Sequence, residues 1–226
     1  KLSFNGHNIF FHGLITKSLN IVKFSMEHTA NPNKRRTLQG KTPLHISAAL
    51  DNEKIVKYLI DNGSNVEEKN SEGNTPLHTA ADNGQLEIFK MIFGVVDEKS
   101  PVFNGGNTPL HTAAESGHLD ICKFIIENKI DPNQRDSDGI APLHLAAESG
   151  QLATFKFLFH VLEDKCPLDD SKNTPLHFAT THLEVCKFIL ENMKDAASRR
   201  NEEGKTPLDL AIEEGEEKVS NFLKLY

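Results

Sequence analysis

TPLHTAADNG, residues 75–84, returns as TPLHTAAESG from Thr108, APLHLAAESG from Ala141 and TPLHFATTH from Thr174. TPLHISAALD precedes it from Thr42, and TPLDLAIEEG closes the series from Thr206. The anchors stand 33, 33, 33, 33 and 32 residues apart. A fixed period of this length marks an array of small units, each buried against its neighbours. A weaker copy comes first. His12 lies 33 residues before His45, and LNIVKFSMEH (19–28) parallels EKIVKYLIDN (53–62).

Each unit reads as two helices. Thr before Pro predicts a helix start: the Thr side chain caps free N–H groups and Pro fits the first helical position. Leu and the Ala-Ala pair follow on a short helix whose small residues let neighbours approach. Gly84, Gly117, Gly150 and Gly215 supply a tight turn. A second apolar-periodic helix follows, such as LEIFKMIF or LDICKFII. A polar loop then leads to Gly40, Gly73, Gly106, Gly139 or Gly204, two residues before the next anchor, where positive φ suits a turn. One unit cannot bury its apolar face alone; a stack can.

T-P-L-H-x-A-A, the glycine turn and the 33-residue period resemble the ankyrin repeat family, over about residues 7–226. The resemblance implies an all-α solenoid of about seven helix–turn–helix repeats with projecting β-hairpin-like loops. The chain is then a single ankyrin-repeat domain, 1–226. It has a degenerate first repeat at 7–40 and internal repeats at 41–73, 74–106, 107–139, 140–172 and 173–204. A capping repeat, 205–226, carries Asp209 for His and four added glutamates, Glu213, Glu214, Glu216 and Glu217. Such a cap prevents end-to-end association, so a monomer is expected.

The histidines His12, His45, His78, His111, His144 and His177 recur once per layer, about 10 Å apart. Metal ligands converge within about 2 Å of one ion, so this row cannot share a metal. The resemblance gives these rings a structural role, bonded to backbone and Thr groups within and between units. The second-helix phenylalanines, Phe24, Phe89, Phe93, Phe124, Phe155, Phe157, Phe159, Phe188 and Phe222, are expected in the inter-repeat core, with a hydrophobic ligand groove as the alternative. Lys23, Lys57, Lys90, Lys123, Lys156 and Lys187 form a ladder expected to be solvated.

Three departures stand out. FKMIFGVVDEKSP (89–101) matches FKFLFHVLEDKCP (155–167), so these second helices are expected to run longer, until Pro101 and Pro167 end them. The sixth unit lacks two residues and its glycine turn, which predicts local irregularity. Its loop carries Lys172 where others have Gly. Positive φ costs a non-Gly residue about 1–2 kcal/mol, so a different turn is expected there.

The net charge of −7 argues against a nucleic-acid partner. No apolar run approaches the roughly 18 residues of a membrane helix, and the start has no secretory signal pattern. Cys122, Cys166 and Cys186 cannot all pair and form no CxxC, which fits free thiols in the cytoplasm. Cys122 and Cys186 read as core thiols and Cys166, in a loop, as the reactive one. No Gly-rich phosphate loop, HExxH or GxSxG is present, so neither catalysis nor a cofactor or metal is expected.

What remains is an acidic ladder just after Ala-Ala: Asp82-Asn83, Glu115-Ser116 and Glu148-Ser149. In the family these positions face the concave groove beside the loop tips, where Glu72, Asp136 and Asp138 add charge. Leu50, at the same register, is an apolar exception that could anchor a partner. Such a row would take a protein or an extended basic peptide; the competing reading is a solvated acidic surface. Asn133 in IDPNQ is the nearest match to the asparagine that some ankyrin repeats present for hydroxylation, although Pro132 departs from the pattern. The implied function is a non-catalytic interaction scaffold. The alternative is a regulatory or targeting module of a larger enzyme, ion channel or effector, since a chain opening on Lys1 is expected to be a fragment.

Overall fold

In the computed structural model, each Thr-Pro anchor starts a helix because the cap closes on the side chain three residues on, an imidazole or, at Thr206, the Asp209 carboxylate. At Thr42 the backbone is extended (φ −80°, ψ 166°) and its Oγ1 accepts the His45 N–H at 3.3 Å. The Thr42 N–H and hydroxyl in turn meet His45 Nδ1, at 3.2 and 2.8 Å. This satisfies groups that a helix start leaves bare. Ala141 has no hydroxyl, so there only the backbone N–H reaches His144 Nδ1, at 3.0 Å.

The structure describes residues 6–28, 32–103 and 105–226, and every element among them is helical. They fall into two compact units, 1–104 and 105–226. In the first, α1 (Gly6–Ile15) pairs with α2 (Leu19–His28), α3 (Pro43–Ala49) with α4 (Glu53–Asp61), and α5 (Pro76–Asp82) with α6 (Leu86–Val95). In the second, α7 (Pro109–Glu115) pairs with α8 (Leu119–Glu127) and α9 (Pro142–Glu148) with α10 (Leu152–Val161). α11 (Pro175–Phe178) pairs with α12 (Leu183–Asn192), and α13 (Pro207–Glu213) with α14 (Glu217–Leu223). Within each unit the first helix of a pair packs on the first helices of adjacent pairs, and second helices do likewise.

Seven-residue helices do not persist alone in water. Packing holds them: Leu44, Leu77, Leu110, Leu143 and Leu176 are fully buried. Each such side chain contributes about 1.5–3 kcal/mol relative to exposure. The alanines Ala80, Ala81, Ala113, Ala114, Ala146 and Ala147 are buried too, which lets neighbouring first helices close up.

Loop tips are stitched by the backbone. Ser71 N–H donates to the Gln39 carbonyl at 3.1 Å in the first unit. In the second, Ser137 donates to Gly105, Asp170 to Asp138 and Glu202 to Ser171, at 2.8–3.0 Å. Gly139 sits at φ 74°, and a Cβ there would lie 2.8 Å from the Asp170 nitrogen. Close approach and left-handed backbone both demand glycine.

Several expectations need correction. The loop around Lys172 keeps the family turn, with Lys172 itself at φ 62°. The strain is offset locally: Lys172 N–H donates to the Asp169 carbonyl at 3.0 Å, and the Asp169 carboxylate takes both the N–H and the side-chain amide of Asn173. Asp51 replaces the turn glycine of its unit in the same way, at φ 52°; Asp tolerates this region better than most residues.

Helices α6 and α10 are ten residues long against nine for α4 and α8, but proline does not end them. Val96 and Leu162 turn extended and bury, at 4% and 2% exposure. Lys99 Nζ then folds back onto the carbonyls of Phe93 and Val96, both at 2.5 Å, and lies 5.1 Å from the Phe93 ring centroid. Lys165 does the same, donating to Phe159 O at 2.5 Å, to His160 O and to Leu162 O.

His12 does not join the buried histidine row. It is exposed, because α1 starts at Gly6 and makes it the seventh helical residue instead of the third. Phe24 is 56% exposed, stacked on His28 with ring centroids 4.2 Å apart, so it is not core. The sixth pair is irregular as expected: α11 has four residues against seven in α3, α5, α7, α9 and α13, and the Cys186 thiol donates to the Ala179 carbonyl where the helix stops.

Candidate interaction surface

Ring geometry settles the chemistry of the histidines. With Nδ1 accepting from the anchor residue, Nε2 carries the proton and donates to a carbonyl of the next loop. His45 reaches Asn74 O at 2.8 Å, His111 reaches Ile140 O at 3.0 Å, His144 reaches Pro167 O at 3.0 Å and His177 reaches Lys205 O at 3.1 Å. Burial pushes all four imidazoles below their usual pKa, His144 to about 4. They are neutral struts between layers.

Cys122 and Cys186 are core thiols, both fully buried. Burial pushes Cys122 and Cys186 up to about 12. Cys166 is half-buried, and burial raises its thiol too, against the pull of Arg199. A reactive cysteine has a depressed pKa; Cys166 lacks one, yet of the three thiols it is the one that is not fully buried. Among the described residues no group of three or more His, Cys, Asp or Glu is placed to hold a metal, and no helix is long and apolar enough to cross a membrane.

The acidic ladder lies at the C-terminal ends of the first helices. In the second unit Glu115 ends α7 and Glu148 ends α9, and both side chains are exposed. Partial burial and then the charge of Glu115 hold the Glu148 carboxyl above the usual range. The structure therefore brings these two carboxylates within electrostatic reach. Ser116 and Ser149 are the half-buried cap residues beside them, their N–H groups bonded to Thr112 and Leu145 carbonyls at 3.0 Å. In the first unit, Leu50 caps α3 and is half-buried. Asp82 and Asn83, both exposed, end the adjacent α5, and Asn83 Nδ2 donates to Thr79 O at 2.9 Å.

The loop acids divide by role. Asp136 builds its own turn, its Oδ1 accepting the N–H groups of Asp138 and Ile140 at 2.9 and 2.8 Å. Asp138 and Glu72 point outward at exposed tips; Glu72 accepts from Asn74 Nδ2 at 3.2 Å. Asn133 is exposed, its N–H bonded to Asp131 Oδ1 at 2.8 Å.

The lysine ladder is more than solvated charge. Lys23 lies 5.5 Å from the Tyr58 ring centroid, Lys123 5.8 Å from Phe157 and Lys156 5.1 Å from Phe188. Each ammonium thus covers an aromatic of the next second helix, a contact worth about 0.5–1 kcal/mol at such sites. The aromatic residue following each lysine was the available signal.

A profile of ankyrin repeats in three copies matches the chain at residues 14–100, 93–168 and 143–225. No curated protein matches it.

Proposed function

The chain belongs to the ankyrin repeat family, whose repeats generally serve as protein–protein interaction modules, and on that footing we propose that it is a non-catalytic scaffold for a protein or extended peptide carrying basic side chains. The observation that carries this reading is the Glu115–Glu148 pair, two exposed carboxylates on successive first helices, the second raised by partial burial and then by the charge of the first. A lysine or arginine between them would relieve their repulsion and pair with both. Ser116 and Ser149 supply adjoining polar contacts, and exposed Asp138 extends the same charge to a loop tip. In the first unit Leu50, Asp82, Asn83 and Glu72 are the corresponding contact residues, with Leu50 as an apolar anchor. Three free thiols suit a reducing compartment, so the scaffold works in the cytoplasm.

The test is a lysate pull-down read by mass spectrometry, comparing wild type with Asp82→Lys/Glu115→Lys/Glu148→Lys. Circular dichroism verifies the fold of both. Basic partners retained by wild type and lost by the variant are expected. Partners held equally by the two proteins would refute the acidic face as the working surface.

A further inference from the structure

The first and last helical layers differ in what attaches them. At the α13–α14 end, His177 of the preceding layer donates to Lys205 O at 3.1 Å, and Leu223 is buried at 3% exposure. At the α1–α2 end both devices are missing. His12 is exposed, so no imidazole among the described residues reaches the Lys41 carbonyl, which stands at the register of Asn74, Ile140 and Lys205. Among the described residues that carbonyl accepts the Thr37 N–H of its own turn, at 3.0 Å.

One core contact is weaker too. Ser25 occupies the second-helix register that holds Leu59, Ile92, Ile125, Leu158, Ile189 and Leu223 elsewhere. It is as buried as they are, at 3% exposure, and its hydroxyl has no hydrogen-bond partner. A buried unpaired hydroxyl is a standing cost, and serine buries far less apolar surface than leucine. Phe10, Leu14 and Val22, at 0–1% exposure, still anchor the layer, and Lys17 Nζ on the Asp51 carbonyl at 3.3 Å and Lys23 over Tyr58 add to it at the periphery.

We infer that α1–α2 is a detachable layer. It opens as one body while α3–α6 keep their fold, and α13–α14 does not open in this way. The two helices leave together because they are fitted closely: a Cβ on Gly13 would lie 2.8 Å from Ile21 Cγ2. Opening uncovers the apolar side of the α3–α4 pair, so access to that side is set by the first layer. The competing expectation is equal opening of α1–α2 and α13–α14.

Hydrogen exchange of the whole chain under native conditions, read by mass spectrometry, separates the two. Residues 9–28 should exchange cooperatively and at least about tenfold faster than both 43–61 and 207–223. Ser25→Ala, which removes the unpaired hydroxyl, should slow exchange in 9–28 by about tenfold and leave 207–223 unchanged. The inference is overturned if 9–28 and 43–61 exchange together. Equal exchange in 9–28 and 207–223 with no effect of Ser25→Ala overturns it as well.

Discussion

Lys165 closes over Phe159: its Nζ lies 5.4 Å from the ring centroid and donates to the Phe159 carbonyl at 2.5 Å. The same ammonium serves the carbonyls of His160 and Leu162, so one side chain satisfies the end of α10. Lys165→Met keeps the apolar stem and removes these bonds. It should lower stability by about 1–2 kcal/mol, from lost charged hydrogen bonds to orphan carbonyls and the lost ring contact. Urea unfolding of the variant beside wild type measures it, and an unchanged midpoint would show that water replaces the ammonium without loss.

His144 links stability to pH. Its pKa is about 4 in the folded chain against 6.5 for the free side chain, so the unfolded state takes up protons first. The strut's stability is fully present above pH 6.5 and drains as pH falls toward 4. By pH 5 this residue alone should cost about 2 kcal/mol. His45, His111 and His177 shift in the same direction and add to the slope. The thermal midpoint should therefore fall steadily between pH 7 and 5; a flat profile would contradict neutral buried imidazoles.

Thr154 stands at 1% exposure with an unpaired hydroxyl, on a register that is Ile121 one unit earlier. Thr154→Val should stabilise the protein by about 1 kcal/mol, since the hydroxyl is desolvated without a partner. Thr108→Val is the opposite case, because Thr108 Oγ1 meets His111 Nδ1 at 2.9 Å. That change should destabilise by a similar amount. If denaturation midpoints move the same way in both variants, hydrogen-bond satisfaction does not govern these sites.

At Lys172, replacement by glycine should raise stability by about 0.5–1 kcal/mol, the relief of left-handed strain less the greater chain entropy of glycine. Gly139→Ala should lower it by more than about 1 kcal/mol, because the new Cβ meets the Asp170 backbone at 2.8 Å. Calorimetric midpoints that fall for Lys172→Gly would mean that the lysine makes a compensating contact.

The period of 33 made the helix pairs, the glycine turns and the buried anchors readable, because each depends on residues within a few positions of one another. Thr-Pro and its imidazole close within four residues, and Gly139 needs only its own φ and the next tip. What escaped the sequence depends on reach. Lys99 and Lys165 look like solvent-facing charges until the chain turns at Val96 and Leu162 and brings them back. The Lys172 turn survives because Asp169 and Asn173 hold it, a partnership that a missing glycine conceals. His12 had the right spacing, but α1 begins four residues ahead of the proline register and carries the ring outward. At the candidate surface, the ladder of Glu115 and Glu148 was legible as a repeat. Asp136, by contrast, turned out to hold its own loop, since an acid and a turn-builder share one letter. The grouping into residues 1–104 and 105–226 left no mark in a pattern that runs evenly across both.

The stitched tips have an evolutionary consequence. Ser137, Asp138, Asp170, Ser171 and Glu202 join layers through backbone atoms alone, while their side chains stand in solvent. Mutation there changes exposed side chains and spares the frame. A lineage, or a randomised library, can therefore explore these positions almost without selective penalty on folding, provided that the residue beneath each tip, Gly139, Lys172 or Gly204, still tolerates left-handed backbone.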